Sequence, residues 1–121
     1  MRDESKLGRI EVSPSAIATL TAEAVKECYG VVGMASRSLL TDLAGSLQRG
    51  SPRGVEVHID GDRVTVDVYV IVEYGVRITE VAAGVMRRVR FTLENTLGVP
   101  VEAVNVHVQG LRVSDQAAQE R

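Results

Sequence analysis

Two histidines, His58 and His107, and three carboxylates in alternating segments, Glu56, Asp67 and Glu73, are the residues of this chain best equipped for chemistry. Brought together with a carboxylate, the two imidazoles would resemble a divalent-metal site, because imidazole and carboxylate are ligands of zinc and related ions. Neither histidine belongs to a close ligand pair of the kind metal motifs use, and solvated strand histidines are commoner, so the sequence assigns no metal and no cofactor. Acid–base work by Glu56, Asp67 or Glu73 requires a displaced pKa, and carboxylates on an exposed sheet stay near their reference values. Gly-x-Ser-x-Gly, Walker-A and Gly-x-Gly-x-x-Gly motifs are absent,. Cys28, the single cysteine, falls in an apolar helical stripe and is assigned to the core rather than to catalysis,. The sequence is read as that of a protein that is not an enzyme.

The elements that must position these residues follow from periodicity. Val55, Val57 and Ile59 alternate with Glu56, His58 and Asp60, while Val64, Val66, Val68, Val70 and Val72 alternate with Thr65, Asp67, Tyr69, Ile71 and Glu73. Placed around Gly61-Asp62, these runs predict an antiparallel hairpin with its valines inward. A helix is predicted over 78–97, capped by Gly98 and barred from continuing by Pro100, with Ile78, Val81, Ala82, Val85, Met86, Val89, Leu93 and Thr96 facing the core,. A last strand runs from 101 to about 113, where Val104, Val106 and Val108 alternate with Asn105, His107 and Gln109 and Gly110 marks a bulge,.

Upstream, a short strand at 8–12 leads through Ser13-Pro14 into a helix expected to reach Tyr29,. Its inward stripe is Ile17, Leu20, Thr21, Ala24, Val25 and Cys28, with Ala22 turned outward,. Gly30 then starts an extended piece at 31–35, and leucine spacing predicts a short helix over 38–48 followed by a mobile loop,. The order β-α-(short extended piece, short helix)-β-β-α-β gives one α+β domain over 8–113, with a small mixed or antiparallel sheet and two main helices packed on one face,. Residues 1–7 are expected to be a flexible N-terminus and 114–121 a flexible polar tail. Both parallel and antiparallel placements of Ile10 and Val106 are open.

A length of 121 residues suits a single core, and 45% hydrophobic with 25% charged residues excludes a disordered chain,. The net charge of −2 excludes an overall field that would draw the chain to nucleic acid,. With no signal-peptide apolar region and no run near the roughly 20 residues of a membrane span, the expected location is cytoplasmic.

With both helices on the valine face, the other face of the sheet presents Glu56, His58, Asp67, Tyr69, Ile71, Glu73, Asn105 and His107. The candidate partner-binding residues are Tyr69 and Ile71 there, and Gly84, Arg87 and Phe91 on the outer side of the second helix, since aromatic and arginine side chains are frequent interface anchors. Phe91 reads equally as a contact for another surface or as a satellite contact beneath a loop. Self-association is the leading expectation, with strand addition at a sheet edge as a further route. The alternative is an RNA- or nucleic-acid-binding module using the sheet face and the Arg87, Arg88 and Arg90 cluster. A lone Tyr69 and a face carrying Glu56, Asp67 and Glu73 weigh against it.

Four blocks stand in order along the chain: Gly8-Arg-Ile-Glu-Val-Ser13, Gly30-Val-Val-Gly-Met34, Val70-Ile-Val-Glu-Tyr-Gly75 with Ile78 after it, and Val104-Asn-Val-His-Val-Gln-Gly110. Together they resemble the alkaline shock protein family of bacterial envelope-stress proteins, over about residues 8–113,. The resemblance implies a small cytoplasmic, non-enzymatic scaffold or adaptor of envelope stress response and homeostasis. It further implies self-association and, in some members, retention near the membrane by a membrane-anchored protein partner. No catalytic residues are implied. Cys28-Tyr29 stands where members often carry a Val-Pro-like pair, and the tail is short.

Overall fold

Valine alternation builds the centre of the sheet, and the two helices are laid across it. In the computed structural model, which describes residues 2–35, 54–98 and 100–113, the elements are β1 (Arg2–Ser5), β2 (Gly8–Glu11), α1 (Pro14–Lys26), β3 (Val31–Met34), β4 (Val55–Asp60), β5 (Arg63–Glu73), α2 (Ile78–Leu97) and β6 (Val101–Arg112). The short helix predicted at 38–48, its loop and the tail at 114–121 lie outside the described residues.

The β4–β5 hairpin turns at Gly61-Asp62, between the paired residues Asp60 and Arg63, with Gly61 at φ 65°. β5 is the central strand. Along one edge it pairs antiparallel with β4 from Arg63 to Val68 and then with β3 from Val70 to Val72. The two short strands meet end to end at Tyr69, whose N–H donates to Gly54 O at 2.8 Å and whose carbonyl accepts from Ala35 N–H at 3.0 Å. Along the other edge β6 runs parallel to β5, from the Val64–Val101 pair to the Glu73–Arg112 pair. A parallel neighbour needs a crossover, and α2 supplies it. The sheet is therefore mixed, and Val106 is in the parallel arrangement. The register shifts opposite Val64–Thr65 and Val70–Ile71 place two irregularities in β6, the second beside Gly110.

Both helices cover the valine face. Ile17, Ala18, Ala24 and Val25 of α1 and Val81, Val85, Val89 and Leu93 of α2 are buried with Val55, Val64, Val66, Val68, Val70, Val72, Val101 and Val104. α1 touches α2 as well as β3 and β4, which is why Ala22, expected to face outward, is buried. Conversely, Ile78 and Met86 are 39% and 41% exposed. The buried line on α2 is the narrow four-residue repeat 81, 85, 89, 93, and these two lie at its flank or its end.

Ser13 caps α1 by accepting from Ala16 N–H at 3.1 Å, with Pro14 in the first helical position. The helix stops at Lys26 rather than Tyr29. Glu27 N–H and Cys28 N–H reach back three residues to Ala24 O and Val25 O, tightening the last turn before Gly30 at φ 87° redirects the chain into β3,. α2 ends as predicted, on Gly98 in the left-handed region. At the N-terminus Arg2–Ser5 pairs antiparallel with Gly8–Glu11 as a separate two-stranded sheet, so the predicted first strand does not join the main sheet.

Candidate functional site

The sheet face opposite the helices gathers its polar residues around Asp67. In the register, Glu56 on β4 and Asn105 on β6 stand directly opposite Asp67, while His58 pairs with Thr65 and His107 with Tyr69. The histidines thus approach Asp67 along opposite diagonals. His58 Nε2 lies 3.1 Å from Asp67 Oδ2 and His107 Nε2 lies 3.0 Å from Asp67 Oδ1. An ionised carboxylate only accepts hydrogen bonds, so His107 donates to Asp67 through its Nε2–H,. Tyr69 completes the group: its ring stacks on His107 with centroids 4.5 Å apart, and its hydroxyl donates to Glu56 Oε1 at 3.0 Å.

Burial of the Asp67 carboxyl opposes its ionisation. Hydrogen bonds from His107 and Asn105 and the charge of the two histidines outweigh that, holding its pKa below the ordinary carboxylate value. The imidazoles remain accessible, with side-chain exposures of 61% for His58 and 41% for His107.

A second surface lies on the far side of the molecule. The end of α1 and the first half of α2 bound an open groove of about 620 Å³, lined by Cys28, Tyr29, Val81, Gly84, Arg87 and Arg88 among others. Gly84 forms a gap in its wall, since nothing lies within 4 Å of where a Cβ would sit. Tyr29 is 82% exposed on one side and Phe91, one turn beyond Arg87, is 67% exposed. Cys28 is half-buried, donates its Sγ–H to Ala24 O at 3.4 Å, and has its pKa raised by burial against an opposing pull from Arg88.

Comparison with known proteins decides the family. The model of the alkaline shock protein 23 family, described as having a cell envelope-related function, matches residues 2–113. The chain belongs to this family. It is 40% identical over 113 residues to Uncharacterized protein YloU of Bacillus subtilis (strain 168), spanning 92% of this chain and 94% of that one. It is also 42% identical over 111 residues to Uncharacterized protein Spy1614 of Streptococcus pyogenes serotype M6, spanning 90% and 92%. Among solved structures, the zinc form of a MamM CTD variant has a TM-score of 0.51 at 13% identity, covering 83% of this chain and 88% of that one. At that identity the likeness is one of fold alone. No helix among the described residues is long and apolar enough to cross a membrane.

In this member of the alkaline shock protein 23 family the five residues selected from sequence fall on two separate surfaces. Gly84, Arg87 and Phe91 share the outer side of α2, while Tyr69 and Ile71 lie on the opposite face of the sheet. Tyr69 is only 7% exposed, with its ring stacked on His107 and its hydroxyl donating to Glu56. Ile71 is half-buried, with its Cδ1 over Gly33. The Arg87, Arg88 and Arg90 run does not form one basic patch: Arg88 pairs with Glu27 at 3.3 Å, while Arg90 donates to the carbonyls of Val101 and Glu102 and pairs with Glu94. Sequence reasoning raised the joining of both histidines to a carboxylate but did not single out Asp67 as the one they share. Alternation showed that they share a face, but only the register of three strands shows that they meet.

Proposed function

We propose that this chain is a non-catalytic scaffold or adaptor of the bacterial cell envelope, acting in stress response and homeostasis by self-association and by binding a protein partner in the cytoplasm near the membrane. The observation that carries this reading is Phe91, largely exposed on α2 beside the groove that holds Gly84 and Arg87, with exposed Tyr29 at its rim. The groove lining also carries Glu27, Arg77, Glu80 and Arg88, and two accessible aromatics with Arg87 beside it are residue types enriched at interfaces,. The sheet face, with Ile71 among polar groups, is separated from this surface by the core and leaves room for a membrane-anchored protein partner to engage at the same time.

Sedimentation and light scattering across a concentration series test the reading. Wild type is expected to associate, and Phe91→Asp to dissociate with an unchanged circular dichroism spectrum. Burying a phenylalanine is worth about 1.5–3 kcal/mol, and a symmetric contact buries two, so the dissociation constant should rise by more than about 100-fold. A wild type that stays monomeric at high concentration, or a Phe91→Asp variant that associates as wild type does, rejects this surface.

A further inference from the structure

We propose that Glu56, His58 and Asp67 form a binding site for one divalent first-row transition metal ion of the zinc type, with His107 and Asn105 as positioning residues behind Asp67. One ligand atom from each of Glu56, His58 and Asp67 lies within 4.8 Å of the others. Around an ion at about 2.0–2.2 Å, ligand atoms in adjacent positions of a tetrahedral or octahedral shell are separated by about 3.0–3.5 Å. The His58 Nε2 to Asp67 Oδ2 distance of 3.1 Å already has that value. A side-chain rotation would bring the Glu56 carboxylate to the third position, and water would take the remaining positions beside the exposed His58.

Two further features favour a cation here. Glu56 and Asp67 are cross-strand partners, and like charges placed directly opposite one another destabilise a sheet. An ion between the carboxylates offsets them. The second feature is the support behind the ligands. His107 binds Asp67 through Oδ1, leaving Oδ2 directed toward His58, Asn105 also donates to this carboxylate, and the Tyr69 hydroxyl holds Glu56. Metal-binding carboxylates are commonly fixed by such outer hydrogen bonds.

The lone pair of His58 Nε2 and the Asp67 Oδ2 oxygen would hold the ion between them,. A mixed nitrogen and oxygen donor set suits zinc, cobalt or manganese, whereas magnesium and calcium favour oxygen alone. The site lies on the sheet face and stands independently of the helix surface proposed for self-association.

Calorimetric titration of tag-free, chelator-stripped protein with zinc chloride, and absorption spectra with cobalt, test the site. Wild type should take up one equivalent that excess magnesium does not displace. His58→Ala and Asp67→Asn should each weaken binding by at least 100-fold, and His107→Gln by about 10- to 100-fold, as expected for an outer hydrogen bond. Because a variant can fail to fold, imidazole nitrogen resonances of the wild type provide a second readout: zinc should shift His58 Nε2 strongly. No saturable binding to wild type, equal binding to His58→Ala, or an unperturbed His58 resonance overturns the proposal.

Discussion

Gly30 sits where α1 turns into β3, at φ 87°, and a Cβ built there would lie 2.6 Å from Val81 Cγ2 and 3.3 Å from Val81 Cγ1. The Gly30→Ala substitution combines two costs. Holding an L-residue in the left-handed region costs about 1–2 kcal/mol, and forcing a methyl into a packed contact costs about 1–3 kcal/mol. Val81 cannot yield easily, because a β-branched residue in a helix has essentially one rotamer and this one is buried,. Gly30 is also tied to the sheet, its carbonyl accepting from Glu73 N–H at 2.9 Å. Together these give a loss of about 2–5 kcal/mol, a large part of the roughly 5–15 kcal/mol of a small domain. Urea denaturation with a common slope measures it. The companion variant Val81→Ala removes both offending methyls, so in that background Gly30→Ala should retain only its backbone cost. The cycle should then show a favourable coupling of about 1–3 kcal/mol. A Gly30→Ala protein within about 0.5 kcal/mol of wild type, or a strictly additive cycle, refutes the packing argument.

Two other outcomes follow from named contacts. The folded state depresses the pKa of Asp67, so its ionised form adds stability that is complete above the unfolded value of about 3.9 and is lost as pH falls through the lower folded value. Asp67→Asn should flatten the acid limb of the stability profile, and acid limbs identical to wild type would contradict the Asp67 network. At the other end of α2, Glu94 Oε2 accepts from the N–H of buried Val101 at 2.9 Å. Glu94→Ala leaves that donor without its acceptor and should cost about 1–2 kcal/mol with faster amide exchange at Val101, whereas Glu94→Gln, which keeps an oxygen, should remain near wild type.

Local signals were legible wherever one residue type decides the backbone. Gly61 marked the hairpin and Gly98 the end of α2, because each takes a positive φ that other residues resist,. The valine runs marked β4, β5 and β6 because period-two alternation has one structural solution. Phe91 projected outward and is outward. Non-local arrangement was illegible for a physical reason: periodicity gives a face but not a neighbour. Nothing in the alternation of β6 distinguishes a parallel from an antiparallel partner, and the Asp67 cluster depends on that distinction. The same limit explains Ala22, whose burial comes from a neighbouring helix rather than from its own amphipathic phase, and Arg88 and Arg90, which look like a basic run until Glu27 and the start of β6 are brought beside them.

The position of β5 between partners on both edges has a consequence for biosynthesis. β3 and β4 precede it in the chain and can pair with it as it leaves the ribosome, but β6 emerges about forty residues after the start of β5, with α2 between them. In that interval a nascent valine-rich strand presents an unsatisfied row of backbone donors and acceptors to any other extended chain nearby. α2 can form early from local contacts and fold down over the valine face, limiting exposure of the apolar side chains. The backbone edge itself stays open until residues 101–112 arrive, which makes the last strand the step that closes this edge of β5 during synthesis.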